Sequence, residues 1–358
     1  MTVGLGAAGC TCRWGGPGFL LSYAPRRVQC PRCGIRTEQV PWAAPASRFT
    51  FELEELVAYL AQITDQTKVT ELTGIAWATV GSIIERVIDR RLDPARLDGL
   101  RRIGIDEFSY RKRHRYLTLV VDHDRRRVVW AAEGRSAEVL GSFFAELGPA
   151  RCQQIELVTI DMAGGYKKAV RQWLPQATVV FDRFHVERLV LDALDEVRRS
   201  LVRDLPSGAE AKAVKNTRFL LLKSPWRLAP DQHQRIADLQ KLHRPLYRGY
   251  LLKESFADAM ECPDPRQAER ALDAWIAWAV RSRLKPFVRA ARTIRQHLAG
   301  IHAYLRTRAT NALVEGLNNK LRMIARRAYG FHSPDALIAM LFLTCGGIEL
   351  CPPLPTRC

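Results

Sequence analysis

Residues 155–182, IELVTIDMAGGYKKAVRQWLPQATVVFD, contain two short apolar runs rich in β-branched residues, separated by an amphipathic segment. The two runs predict strands, and the intervening GGYKKAVRQWL predicts a helix. Three more runs predict strands upstream, joined by hairpins: RRIGIDEF (101–108), YLTLVVD (116–122) and RVVWAAEG (127–134). Because helices then alternate with strands, we expect an α/β fold, with a mixed sheet and flanking helices.

The chain turns helical and polar after this sheet. The stretch from Val186 to about Leu305 is broken by several prolines and predicts an all-helical insertion. A last helical stretch is expected from Asn311 to Ala328.

The region before the sheet predicts a helix-turn-helix domain at residues 47–99. Three helical patterns follow one another there: LEELVAYLAQI (53–63), KVTELTG (68–74) and IAWATVGSIIERVI (75–88). The third helix would present its exposed side to the major groove of DNA. The candidate DNA-contacting residues on that side are Trp77, Thr79, Ser82 and Arg86. The alternative is an ordinary three-helix packing unit.

The charge balance favours a polyanionic partner. Lys and Arg number 55 against 37 Asp and Glu, a formal net charge of +18. Neutralising phosphates with such residues releases counterions and gives salt-dependent binding. No apolar run approaches the ~18 residues of a membrane span, and the opening residues lack the pattern of a secretory leader. Nine cysteines, five of them scattered, suit a reducing cytosol better than a disulfide scaffold, so we expect a cytoplasmic protein.

Three acidic residues stand out chemically. Asp106 and Asp161 end short apolar runs, and Glu315 lies in the basic helical pattern NALVEGLNNKLR (311–322). The carboxyl ends of strands are where open α/β sheets place functional groups. Carboxylate oxygens suit Mg²⁺ or Mn²⁺, and two such ions can drive in-line phosphoryl displacement. Taken singly, each acid is better explained as a surface charge.

Neighbouring polar residues receive smaller roles. Asp182 and His185, in VVFDRFHV, are auxiliary candidates that could contact the metal or the scissile phosphate. Asp182 could equally cap the helix that follows it. Asp122 and Asp124 fall in a predicted hairpin turn, where we expect solvated side chains.

Cysteines and basic residues give further candidates. Cys10, Cys12, Cys30 and Cys33 form a C-x-C and a CPRC pair that could bind Zn²⁺, the alternative being reduced thiols. Other basic residues could contact DNA phosphates, although charge runs are usually solvated faces. They are Lys167, Lys168, Lys320, Arg322, Arg326 and Arg327.

Three blocks carry a family resemblance. They are IGIDEFSYRKRHRYLTLVVD (103–122), TIDMAGGYKKAVRQWLPQATVVFDRFHV (159–186) and TNALVEGLNNKLRMIARRAYGF (310–331). Together they resemble the DDE transposases of the ISL-three insertion-sequence family, from about Pro25 to the C-terminus. The N-terminal metal-binding segment is abbreviated relative to that family, and Ala163 and Gly164 make an unusually small turn after the second acid.

The resemblance implies fold, activity and site together. It implies an RNase H-like catalytic core and a metal-binding triad of Asp106, Asp161 and Glu315 with Mg²⁺ as cofactor. It also implies binding of double-stranded DNA at the element's terminal inverted repeats, followed by strand cleavage and transfer to target DNA. Synapsis of two DNA ends implies a homodimer or higher oligomer. Rival functions are a DNA-binding regulator without catalysis and an RNase H-like nuclease without strand transfer.

The expected domain organisation follows from pattern and resemblance. A zinc-ribbon-like segment with a Cys-containing zinc knuckle is expected at 1–46, ahead of the helix-turn-helix domain. The first part of the catalytic core is expected at 100–190 and the helical insertion at 191–304. The last core helix, with the third acid, is expected at 305–345, ahead of a tail at 346–358.

Overall fold

The computed structural model shows an α/β protein with many helices. The described residues are 7–10, 20–23, 25–44, 47–111, 115–162, 165–206, 208–328, 330–331 and 333–351. The strands are β1 (Ala7–Cys10), β2 (Leu20–Tyr23), β3 (Arg27–Cys30), β4 (Gly34–Thr37), β5 (Arg102–Arg111), β6 (Arg115–Asp122), β7 (Arg127–Glu133), β8 (Leu157–Ile160) and β9 (Thr178–Phe181). All five strands expected between residues 101 and 182 are present.

Helices make up most of the remainder. They are α1 (Phe51–Ile63), α2 (Gln66–Thr73), α3 (Trp77–Arg91), α4 (Ala137–Leu147), α5 (Pro149–Cys152), α6 (Tyr166–Trp173), α7 (Arg183–Asp204), α8 (Ala209–Lys215), α9 (Arg218–Leu222), α10 (Pro230–Leu242), α11 (Arg244–Glu261), α12 (Pro265–Arg281), α13 (Lys285–Gln296), α14 (Leu298–Thr307), α15 (Ala312–Arg327) and α16 (Pro334–Cys345), with a 3₁₀ turn at Pro225–Arg227. Among the described residues, no helix is long and apolar enough to cross a membrane.

One sheet is mixed and has five strands, in the order β7-β6-β5-β8-β9. Strands β6 and β7 form an antiparallel hairpin, whereas β8 is parallel to both β5 and β9. The expectation of a mixed sheet with flanking helices is therefore confirmed. Two further antiparallel pairs, β1 with β2 and β3 with β4, lie in the N-terminal region.

The chain divides into two compact units. The first comprises residues 1–99, 107–135 and 315–358, and the second comprises 100–106 and 136–314. Each unit has its own set of packed helices.

In the first unit, helices α1, α2 and α3 form the expected helix-turn-helix. The side chain of Thr50 accepts a hydrogen bond from the amide of Leu53 at the start of α1, and Asp65 does the same for Lys68 in α2. Gly74 ends α2 in the left-handed conformation, with φ 69°, which glycine adopts without strain. The apolar side of α3 packs on α1 and on α16, so the domain has a continuous core.

The hairpin of β6 and β7 corrects one expectation in the same unit. Asp122 is buried, not solvated, and its Oδ1 accepts from the amides of Asp124 and Arg125. A buried carboxylate is tolerated there because the turn supplies its hydrogen-bond donors. Asp124, by contrast, is exposed as expected.

In the second unit, α4 packs on α6, and α14 packs on β9. Helix α7 begins after β9 and passes through the boundary expected at residue 190 without a break. It packs on α11 and α13, so the insertion is a helical layer built around α7. Trp275 of α12 is fully buried there, and its Nε1 donates to the carbonyl of Leu252 at 2.7 Å.

Candidate active site

Strand register places three acids in one row. Gly104 of β5 pairs with Thr159 of β8, and continuing that parallel register by two residues puts Asp106 beside Asp161. Ile160 pairs with Phe181 of β9, and one further residue puts Asp161 beside Asp182. Neighbouring strands are only about 4.8 Å apart. Asp106, Asp161 and Asp182 therefore form a row at one edge of the parallel strands, with one acid in or directly after each strand.

The position of Asp106 differs from the expected strand end. Strand β5 continues past it to Arg111, because β5 also pairs with β6 beyond the point where its ladder with β8 stops. Asp106 and Asp161 are both half-buried, whereas Asp182 is 6% exposed.

His185 lies among these carboxylates. It sits in the first turn of α7, where Nδ1 is 3.2 Å from Asp182 Oδ2 and Nε2 is 3.4 Å from Asp161 Oδ2. The hydrogen bond to Asp182 raises the pKa of His185 above its ordinary value, although partial burial opposes this. The charges of Asp161, Asp182 and Asp106 raise that pKa further. Protonated His185 therefore offsets part of the repulsion within the row.

Asn311 and Thr159 were not foreseen from the sequence. The backbone amide of Asn311 donates to Asp182 Oδ1 at 3.1 Å, and its side-chain Oδ1 accepts from the Thr159 hydroxyl. Both residues are buried. A polar residue before a helix usually predicts only a cap, so the sequence pattern did not indicate a link to the sheet.

Lys167 occupies the neighbourhood of Phe181. Its Nζ lies 3.3 Å from Nδ1 of His297 and 5.4 Å from the centre of the Phe181 ring. Partial burial lowers the pKa of Lys167, and the charge of Arg171 lowers it further. Lys168 points outward and is exposed.

Glu315 belongs to the first unit. It lies in the first turn of α15, four residues after Asn311, and its side chain is exposed. An acid in the first turn of a helix is favoured by the helix dipole. Its position therefore satisfies the local electrostatics of the helix.

The basic residues of α15 have diverse contacts. Lys320 Nζ donates to the carbonyl of Thr344 at 2.8 Å, and Arg322 donates to Asn319. Arg327 donates to the carbonyls of Ala61 and Gln62, and burial lowers its pKa. Arg326 is exposed.

The four candidate DNA contacts on α3 differ in exposure and bonding. Trp77, 44% exposed, and Ser82 face solvent, while Thr79 is half-buried. Arg86 instead pairs with the buried Glu54, with Nη2 at 2.7 Å from Oε1. The Arg86 charge therefore balances a buried carboxylate between α3 and α1 of the helix-turn-helix.

Cys30 and Cys33 lie at the turn between β3 and β4, where backbone amides contact the Cys30 thiol. Backbone amides of Arg32 and Cys33 lower the pKa of the Cys30 thiol. The side chain of Cys10 and the whole of Cys12 lie outside the described residues. Within the part of the chain that is described, no three His, Cys, Asp or Glu side chains are grouped closely enough to hold a metal ion.

Comparison with known proteins agrees with this architecture. Residues 103–341 match a family model described as Transposase, and residues 38–88 match the helix-turn-helix domain of transposase family ISL3. The transposase for insertion sequence element IS1557 of Mycobacterium tuberculosis is 40% identical, covering 95% of this chain and 81% of the relative. The transposase for insertion sequence element IS1001 of Bordetella parapertussis is 30% identical, covering 88% of this chain and 79% of the relative. The chain therefore belongs to the ISL3 family of insertion-sequence transposases, with a DDE transposase region and a helix-turn-helix domain.

Proposed function

We propose that this transposase binds the terminal inverted repeats of its element, cuts the DNA strands there and joins them to target DNA. The catalytic part would be an RNase H-like core. The observation that carries the proposal is the row of Asp106, Asp161 and Asp182 at one edge of three parallel strands, with His185 3.2 Å from Asp182 and 3.4 Å from Asp161. Carboxylates on adjacent strands repel one another, and a bound divalent cation would reduce the repulsion that His185 leaves uncompensated.

Asp106, Asp161 and Glu315 are the proposed ligands of Mg²⁺ or Mn²⁺. The donor set fits because hard divalent cations prefer carboxylate oxygens. Asp106 and Asp161 are half-buried and therefore accessible to an ion. When bound, such ions activate the attacking oxygen and stabilise the leaving oxygen of an in-line displacement.

Asp182 and His185 orient and hold protons beside the proposed metal ligands. Asp182 is buried and holds Nδ1 of His185, which fixes the imidazole ring with Nε2 towards Asp161. Between these two carboxylates, the His185 ring can hold a proton or exchange one with Asp161. We therefore assign to Asp182 an orienting role and to His185 a proton-holding role.

DNA contacts are proposed on both units. On α3, Trp77, Thr79 and Ser82 are the proposed contacts to base edges, since short polar side chains near the start of such a helix suit that role. Arg86 and Arg327 are half-buried as well as bonded within the protein, so we assign them structural roles. The proposed contacts to DNA phosphates are Lys167, Lys168, Lys320, Arg322 and Arg326.

The remaining proposals concern organisation. The domain limits stated from the sequence are retained, including a zinc-ribbon-like segment at 1–46 in which Cys30 and Cys33 would be two of the zinc ligands. Two element ends must be held together, so we propose a homodimer or larger assembly on DNA. Its substrate places the activity on the nucleoid, in the bacterial cytoplasm.

The decisive experiment compares Asp161→Asn with wild type on DNA carrying the terminal repeats and a target plasmid. Wild type should cut and join in Mg²⁺, whereas Asp161→Asn should bind the repeats but not cut them. Asp124→Asn is the matched control, because Asp124 is an exposed aspartate in a hairpin turn. Cutting without joining would favour a nuclease. Binding without cutting by wild type would favour a regulator, and unimpaired cutting by Asp161→Asn would refute the site.

A further inference from the structure

Asn311 connects all three strands of the acid row. Its backbone amide donates to Asp182 Oδ1 at 3.1 Å, beyond the end of β9. Its side-chain Oδ1 accepts from the hydroxyl of Thr159 in β8, and its Nδ2 lies 3.5 Å from the carbonyl of Ile105 in β5. Each contacted residue is in the row or within two residues of it in sequence.

The chemistry of an amide side chain suits this position. Asparagine offers both an acceptor and donors, so it can serve a hydroxyl on β8 and a carbonyl on β5 at once. Asn311 is only 3% exposed, so water cannot substitute for these partners. Aspartate would lack the donor, and leucine could not accept the hydrogen bond from the Thr159 hydroxyl. Leaving a buried polar group unsatisfied costs free energy.

Asn311 also directly precedes α15. Glu315 lies in the first turn of that helix, four residues further along the chain. Four residues correspond to about one helical turn. The residue that bonds to the strands beside Asp106 and Asp161 is therefore about one helical turn from Glu315 along the chain.

We infer that Asn311 is a positioning residue, which fixes Asp182 and the strand residues beside Asp106 and Asp161 in one arrangement, so that the acid row keeps the geometry that ion binding requires. The inference rests on the proposed function, because it assumes that Asp106 and Asp161 are metal ligands. It assigns Asn311 no contact with DNA or with a reacting atom.

The test uses the full-length protein and three readouts. These are affinity for terminal-repeat DNA, strand cleavage as a function of Mg²⁺ concentration, and the rise in unfolding temperature that Mg²⁺ produces. The variants are Asn311→Ala, which removes the side-chain bonds, and Thr159→Val, which removes only the hydroxyl donor. Asn216→Ala is the control, because Asn216 is exposed at the end of α8.

Asn311→Ala should bind DNA within about twofold of wild type yet cut about 100-fold more slowly, since small displacements of reacting groups cost about this much. It should need more Mg²⁺ for half-maximal cleavage, and its Mg²⁺-induced rise in unfolding temperature should be smaller. Thr159→Val should cut about tenfold more slowly, the effect of one lost hydrogen bond. The double variant should be no slower than Asn311→Ala alone, because both changes remove the same bond.

Two results overturn the inference, and they differ. If Asn311→Ala cuts at the wild-type rate with the wild-type Mg²⁺ requirement, while Asp161→Asn is inactive, the positioning role fails and the proposed function stands. If wild type does not cut, or Asp161→Asn does, the proposed function fails and the inference fails with it. If Asn311→Ala does not fold, Thr159→Val decides. An unchanged rate and Mg²⁺ requirement in Thr159→Val would then overturn the positioning role.

Discussion

Nε2 of His185 lies 3.4 Å from Oδ2 of Asp161, while Nδ1 of the same ring lies 3.2 Å from Asp182. One imidazole therefore bridges the two acids that directly follow the adjacent strands β8 and β9. The arrangement fixes the ring and places a proton-carrying group beside a proposed metal ligand.

Replacing His185 with Gln should slow strand cleavage by about 10² to 10⁴-fold, the usual range for losing a proton-transfer group. DNA affinity should stay within about twofold, because His185 is not on α3, the helix proposed to contact base edges. His233→Gln is the control, since His233 is exposed in α10. A His185→Gln protein that cuts at the wild-type rate would remove His185 from the mechanism.

His297 predicts a pH dependence of stability. Partial burial, with the charges of Lys167 and Arg171, lowers the pKa of His297 below its ordinary value. The unfolded chain therefore binds the His297 proton more readily than the folded protein does. His297 should therefore contribute a loss of stability as pH falls below about 6.5, until the folded-state pKa is also passed.

Chemical denaturation between about pH 7.5 and 5 tests this dependence. The His297→Gln variant should lose less stability than wild type over that interval, because glutamine takes up no proton. Parallel curves for the two proteins would show that His297 is not perturbed.

Glu54 should be essential to the helix-turn-helix. It is fully buried and pairs with Arg86 at 2.7 Å and with Arg90 at 3.0 Å. Glu54→Gln should lower the free energy of unfolding by about 3 kcal/mol, because two cations lose their partner. Glu52→Gln, at an exposed position of the same helix, should change it by less than about 0.5 kcal/mol. Equal stability of the two variants in denaturant titrations would contradict the assignment.

A substitution at Ser82 tests the proposed DNA contact of α3 without an expected effect on stability. Ser82→Ala should weaken binding to the terminal repeats by about 1–3 kcal/mol at fixed salt, with no change in unfolding temperature. Ser142→Ala, an exposed serine in α4, should leave both unchanged. If Ser82→Ala keeps the wild-type ratio of affinities for repeat and unrelated DNA, Ser82 does not contact base edges.

Gly300 shows how closely α14 packs on β9. A Cβ at this position would lie 2.6 Å from Cε2 of Phe181, the residue before Asp182. Gly300→Ala should therefore destabilise the protein by about 1–3 kcal/mol through overpacking. Gly81→Ala, whose Cβ meets only ordinary contact, should be neutral or stabilising by up to about 1 kcal/mol. Thermal unfolding of both variants gives the comparison, and an unaffected Gly300→Ala would show that Phe181 moves aside.

Local pattern was enough to predict most elements of this fold. The strand residues around Val158 and Val179 and the three helices of the helix-turn-helix have strong periodicity, and the structure confirms them. The sequence left open whether the strands of Asp106 and Asp161 are neighbours, and the parallel pairing of β5 with β8 shows that they are.

Long-range pairing could not be predicted in the same way. Arg86 has the spacing of an exposed base contact, but its partner Glu54 lies 32 residues earlier in the chain. Asp122 is in a turn composition that usually indicates solvent exposure, yet it is buried because the turn amides satisfy it. Asn311 contacts residues 152 and 206 positions away, and no single-sequence periodicity reports such bonds.

The central claim is that Asp106, Asp161 and Glu315 hold the same divalent ions. Its most direct test is a crystal of the protein on terminal-repeat DNA, grown with Mn²⁺ and measured for anomalous scattering. We predict manganese peaks about 2.1 Å from carboxylate oxygens of all three residues. Peaks that lack Glu315, or the absence of any peak beside Asp106 and Asp161, would contradict the account.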